Sequence, residues 1–400
     1  MLKSLNVGEL TPKDEIHARI NKLKAKMEEQ GIALAIILQN VDLFYLTGTM
    51  QKSVLAVSVD RDPVFFVEKS LQRATEETPL EITPIKKDKD IRDILSDLGM
   101  LRGRCGMELD VLPVTVFERW KNILGYDNIV DVWPLIRDLR LIKSPFEIRQ
   151  IKQSGEIVSQ VFKKAKEIIR EGMREVDIAA LLESEGRIHG HQGFLRMRGL
   201  NQEMMNVYIV HGLSGTVVSG TDVPISGAGV THAIPQGPSV NRFQRGIPLL
   251  VDYGGGYNGY ITDETRTFAL GELKDIYLKG HAVAQAIIEE TMDFAKEGIV
   301  GTEVFTKAFL RTKREGLDEY FMGYGEGKVS FIGHGLGLEI NELPVITPRH
   351  DIVLQEGMVF AFEPKFIIPG EGSIGIEVDF IVRKDGLERV TDSSMDIVYV

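Results

Sequence analysis

Cysteine is nearly absent. Cys105 stands alone in 400 residues, which excludes an intrachain disulfide and any zinc or iron–sulfur cage built on thiolates. A metal held by this chain has to use His, Asp and Glu. Basic charge is also short: 47 Lys and Arg face 58 Asp and Glu, a formal net charge of −11. No long basic cluster offers a footprint for a phosphate backbone, so nucleic acid is not an expected partner. Long apolar runs are missing too. The longest purely aliphatic stretch, Ile32 to Leu38, is too short to span a membrane. The first ten residues carry Lys3, Ser4, Asn6 and Glu9, unlike a secretory signal, and the expected location is cytoplasmic.

What is present is an ordinary globular composition, 43% hydrophobic and 26% charged. The length exceeds one typical core, so two domains are expected. Glycine divides the chain: 13 of its 40 glycines fall in residues 1–200 and 27 in residues 201–400, so tight turns and close backbone approaches belong mainly to the second half.

The first part alternates helix and strand signals. Thr11-Pro12 resembles a helix start with Thr11 as cap, followed by an apolar stripe through Ile16, Ile20, Leu23 and Met27 to about Gln30. Ile32–Leu38, Val54–Val59 and Val64–Val67 are short apolar runs that predict buried strands. An α/β domain over residues 1–143 results. Ser144-Pro145-Phe146-Glu147 has the spacing of a capping box and opens a stripe through Ile148, Ile151, Val158, Phe162 and Ile169. It begins a second domain, residues 144–400. Helices are predicted over Val176–Ile188, Asp275–Glu297 and Thr302–Glu315, and strands over Leu249–Leu270, Val359–Phe366 and Ile374–Val382, an α+β mixture.

Carboxylates stand out in those strands. Pairing the segment 249–263 about a turn centred between Tyr257 and Asn258 sets Asp252 opposite Asp263, with Cβ atoms about 4.5–5.5 Å apart. Like charges so placed call for cations, and the spacing suits two ions about 3.5–4 Å apart. A register shift undoes this geometry, and the competing assignment leaves one Asp in an exposed turn. Glu363 and Glu377 each sit among apolar residues, where an unpaired Glu is rarely buried. Asp379 is assigned more readily to an edge facing water. His334 is flanked by Gly333 and Gly335. Four carboxylates and one imidazole form a donor set suited to Mn²⁺, Co²⁺ or Zn²⁺.

The ordered residues Asp252, Asp263, His334, Glu363 and Glu377 resemble the metal-binding signature of the pita-bread metallopeptidases, the family of methionine aminopeptidase, aminopeptidase P, prolidase and creatinase. The phrases Val251-Asp252-Tyr253-Gly254, Thr262-Asp263-Glu264-Thr265-Arg266, Gly333-His334-Gly335-Leu336-Gly337 and Phe362-Glu363-Pro364 carry the likeness. Leu139–Ile148 is similar to the junction between a creatinase-type N-terminal domain and the pita-bread domain. The resemblance implies two divalent ions, Mn²⁺ or Co²⁺ first and Zn²⁺ or Fe²⁺ next. Asp252 would bind one, Asp263 and Glu377 both, and His334 and Glu363 the other, with a bridging hydroxide attacking an Xaa-Pro amide bond and Glu363 carrying the proton. It also implies a small peptide or small-molecule substrate and a homodimer.

Three departures concern catalysis. Asn341 stands where the family usually has a second histidine, and losing one donor to the tetrahedral intermediate costs about 3–4 kcal/mol on the usual scale. The family's Pro-His pair upstream of Asp252 is replaced by Thr231-His232-Ala233-Ile234-Pro235-Gln236, so His232 or Gln236 is the candidate substitute and a surface position for His232 the competing one. Gly375 and Ile376 occupy the place where many prolidases have Arg. Three functions follow: an Xaa-Pro metallopeptidase, a non-peptidase C–N hydrolase or lyase acting on a small nitrogen metabolite, and a metal-retaining protein without turnover.

Overall fold

The computed structural model describes residues 8–400. They divide into two units: one takes the chain up to Arg140 together with Arg198–Gln202, the other Leu141–Met197 and Glu203–Val400.

In the first unit six strands form one mixed sheet: β1 (Leu34–Ile37), β2 (Ser53–Ser58), β3 (Val64–Val67), β4 (Ile82–Pro84), β5 (Cys105–Met107) and β6 (Ile129–Asp131), ordered β4-β3-β2-β1-β5-β6. β1 runs antiparallel to β2 and parallel to β5. The apolar runs become inner strands because side chains cover them. Leu34, Ile36, Ala56 and Phe66 share a core with Ile91 and Leu95 of helix Lys89–Asp97 and with Trp120 and Leu124 of helix Val114–Leu124. Helix Lys13–Glu29 buries Ile16, Ile20, Leu23 and Met27, the predicted stripe. Its start differs from expectation. Pro12 occupies the cap position and Thr11 lies one residue outside it, beyond the reach a capping hydroxyl needs. The Thr11 hydroxyl is instead buried with no hydrogen-bond partner among the described residues.

In the second unit the capping box forms as predicted. Ser144 Oγ accepts from the Glu147 N–H at 3.2 Å, and the Glu147 carboxylate accepts from the Ser144 N–H at 3.0 Å. Helix Pro145–Ile168 follows, and its Val158, Val161, Phe162 and Ala165 pack with Val251, Tyr253 and Phe268. Helices Glu175–Ile188, Asp275–Phe294 and Gly301–Arg314 fall where the periodicity places them.

The strands of this unit are β7 (Val207–His211), β8 (Leu249–Tyr257), β9 (Tyr260–Ala269), β10 (Gly333–Gly335), β11 (Glu342–Ile346), β12 (Val359–Phe362), β13 (Lys365–Ile368), β14 (Gly372–Gly375), β15 (Val378–Arg383), β16 (Gly386–Arg389) and β17 (Val398–Tyr399). They make sheets ordered β17-β9-β8-β7 and β11-β10-β12-β15-β16, plus the hairpin β13-β14. The two segments expected as single strands are each broken, between β12 and β13 and between β14 and β15. Pro364 explains the first break, since it has no N–H to give to a ladder. Phe362 pairs with Val378 and Lys365 with Gly375, so the breaks fall opposite each other and leave Glu363 and Glu377 facing across the gap.

Candidate metal centre

The β8–β9 hairpin turns at Asn258-Gly259, both with positive φ (50° and 88°), the conformation of the two-residue turn that matches strand twist. The turn centre thus lies one residue further on than the sequence reading placed it, and the register changes accordingly. Asp252 pairs with Thr265, and Asp263 with Gly254. Asp252 and Asp263 still share one face, because side chains two positions apart point the same way, but they are diagonal neighbours and not directly opposed. Neither lies in the turn.

The same alternation sorts the next residues. Asp263 and Thr265 face the carboxylate cluster, while Glu264 and Arg266 point to the other side, where they form a buried ion pair at 3.0 Å. Arg266 also donates to the carbonyl of Glu377 at 2.6 Å, and the Glu377 N–H donates to the Thr265 carbonyl at 3.1 Å. These bonds tie the break beside Glu377 to β9. Asp379, for which a water-facing edge was a serious competing assignment, is fully buried, and its Oδ2 accepts from the Asp263 N–H at 2.8 Å. Its position on β15, an inner strand of its sheet, is what removes it from water.

His334 lies on β10 between β11 and β12, opposite Val345 and Ala361. Its Nε2 is 3.8 Å from Asp263 Oδ2 and 3.9 Å from Glu377 Oε1. Asp263, His334 and Glu377 each present one ligand atom within 4.8 Å of the others. Asp263 Oδ1 and Glu377 Oε1 are buried without a hydrogen-bond partner among the described residues. A buried carboxylate oxygen in that state is costly, and a divalent cation satisfies it. The donor set therefore fits a metal ion.

Asp252 and Glu363 are engaged differently. Lys365 Nζ donates to Asp252 Oδ2 at 3.0 Å, Glu363 Oε2 at 2.8 Å and Glu377 Oε2 at 2.6 Å. Glu377 Oε2 also accepts from the Thr265 hydroxyl at 2.9 Å. Burial pushes the Asp263 and Glu377 carboxyls well above the usual carboxylate range, with neighbouring carboxylates adding to the shift and Lys365 opposing it. Burial alone would lower the Lys365 pKa, but Asp252, Glu363, Glu377 and Asp263 together outweigh it and hold the ammonium well above its ordinary value.

The remaining sequence candidates are not among the three converging ligands. His232 is exposed on a turn. Asn341 is exposed immediately before β11. Gln236 is buried and accepts from the Tyr208 hydroxyl at 3.2 Å; Tyr208 pairs with Asp252 across β7 and β8, and burial first and Asp252 second push its hydroxyl up to about 12. Sequence reasoning passed over Lys365 and Tyr208. For Lys365 a signal existed: it is a lysine in an apolar strand, two positions from Glu363.

A family model described as metallopeptidase family M24 matches residues 149–384. The chain belongs to metallopeptidase family M24. A second model, the creatinase/prolidase N-terminal domain, matches residues 19–142 of this M24 chain. An Xaa-Pro dipeptidase of Pyrococcus furiosus is 29% identical over 385 residues, 95% of this chain and 99% of that protein. Among solved structures, an Xaa-Pro dipeptidase from Bacillus anthracis superposes with a TM-score of 0.82 at 25% identity, covering 96% of this chain and all of that one. An X-Pro aminopeptidase from Thermotoga maritima gives 0.78 at 25% identity, covering 95% and 99%.

Proposed function

We propose that this M24 chain hydrolyses Xaa-Pro peptide bonds with a divalent cation, Mn²⁺ or Co²⁺, held by Asp263, His334 and Glu377. The convergence of those three ligand atoms, with two buried carboxylate oxygens lacking a hydrogen-bond partner among the described residues, carries this reading. The Xaa-Pro specificity is supported by the relatives of similar length. Bound by Asp263, His334 and Glu377, such a cation would supply Lewis-acid polarisation of a substrate carbonyl and a lowered pKa for water.

The chain's own residues do the rest. Asp379 fixes Asp263 through its backbone N–H, and the Thr265 hydroxyl and Lys365 fix Glu377 Oε2, so that Oε1 is left toward His334. Glu363 is the proposed proton carrier between water and the leaving amine. Asn341 is the proposed hydrogen-bond donor to the carbonyl oxygen under attack. His232, exposed on its turn, is assigned no step. Residues 1–143 are taken as the creatinase-type domain and 144–400 as the catalytic one; the site residues all belong to the latter. We place the protein in the cytoplasm, in keeping with a lone buried thiol, and as a homodimer.

Gly375 and Ile376, where a substrate-binding Arg is common in prolidases, favour one alternative: a C–N bond in a small nitrogen metabolite. A panel of Xaa-Pro dipeptides, Xaa-Pro tripeptides and non-peptide amides offered to the Mn²⁺-loaded enzyme decides between them. Turnover confined to the non-peptide compounds would replace the peptidase reading.

A further inference from the structure

We infer that the Lys365 ammonium is a built-in cation that stands in place of a second metal ion, leaving Asp263, His334 and Glu377 as the single metal position of the site. This rests on the metal-centre reading above. The five donors singled out in the sequence fall into two groups that overlap at Glu377. Three converge on one position. The other two, Asp252 and Glu363, are the residues that Lys365 binds, and Glu377 is shared: Oε2 goes to Lys365 and Oε1 faces His334.

An ammonium has three N–H donors, and Asp252, Glu363 and Glu377 take all three, so none is left for substrate. Lys365 therefore neutralises and positions carboxylates, and is not a catalytic acid. The hairpin is built to admit it. Gly375 is its register partner, and a Cβ there would sit 2.7 Å from Lys365 Cγ and 2.8 Å from Lys365 Cα. A side chain at 375 is thus incompatible with this lysine. Lys365 is 3% exposed, and a metal ion added to the same oxygens would lie beside a buried positive charge, where repulsion is strong.

The test is metal stoichiometry, read without turnover. Wild-type protein is saturated with Mn²⁺, dialysed, and measured by elemental analysis and electron paramagnetic resonance, beside Lys365→Ala and Lys365→Gly, whose folding is checked by circular dichroism. The expected result is about one Mn²⁺ per chain with an isolated-ion spectrum in wild type, rising about twofold with a spin-coupled spectrum in the variants. Two ions in wild type would overturn the inference and leave the metallopeptidase reading standing. A folded variant that still binds one ion would overturn it equally. No ion in wild type would overturn both. Should neither variant fold, the wild-type ratio alone decides between one ion and two.

Discussion

Glu363 joins two functions on one side chain: it binds Lys365 and, in the proposed reaction, carries the proton. Glu363→Gln keeps the shape and one oxygen acceptor but removes the base. The expected outcome is a turnover loss of about 10²–10⁴-fold with Mn²⁺ occupancy retained, measured by steady-state kinetics beside elemental analysis. A second residue gives a pH test remote from the site. Burial pushes the His281 pKa down to about 4, while its Nε2 donates to the Met395 carbonyl at 2.9 Å. The folded state thus holds this imidazole neutral where the unfolded chain protonates it. Its contribution is complete above pH 6.5 and is lost as pH falls toward 4, about 2 kcal/mol of it by pH 5. His281→Gln keeps an N–H donor and does not titrate, so its urea-unfolding stability is expected to fall less between pH 7 and pH 5 than that of wild type; an equal loss would contradict this. At this scale the converging residues Asp263, His334 and Glu377 were legible because motif and spacing named them; the same motif named Asp252 and Glu363, which Lys365 engages. Lys365 was not, because a lysine in a strand is ordinarily a solvated one, and only the chain folding Glu363, Asp252 and Glu377 around it shows otherwise.

Elements were legible where a local signal was strong. The Ser144–Glu147 capping box formed as its spacing predicts, and Ser144→Ala is expected to cost about 1 kcal/mol, measured as a lower urea midpoint with an unchanged m-value. Thr11 failed as a cap because the same residue type one position early has no N–H within reach. The acidic hairpin shows how fine such limits are. Placing the turn one residue early predicted Asp252 directly opposite Asp263; the Asn258-Gly259 turn makes them diagonal, yet both remain on one face because each strand keeps its two-residue period. The breaks at Glu363 and Glu377 carry a weaker signal. Pro364 marks the first, whereas nothing in Gly375-Ile376-Glu377 announces that two hairpins meet there.

For the whole molecule, the two family models cover residues 19–142 and 149–384, so the two-part architecture was accessible from composition, glycine distribution and the Ser144 cap. Assembly is a different matter, since self-association is written in surface shape more than in composition. The proposed homodimer has a direct check: multi-angle light scattering at micromolar concentration is expected to give about twice the 44.7 kDa of one chain, and a monomer mass would contradict it. The central claim, cation-dependent cleavage of Xaa-Pro bonds at Asp263, His334 and Glu377, is tested most directly by hydrolysis of Xaa-Pro dipeptides and tripeptides by the chelator-stripped protein before and after Mn²⁺ or Co²⁺ is returned, with Asp263→Asn in parallel. The expected result is no turnover when stripped, recovery on metal addition, and neither metal retention nor recovery in Asp263→Asn; a folded, metal-loaded wild type that cleaves no Xaa-Pro peptide, or one equally active when stripped, would contradict it.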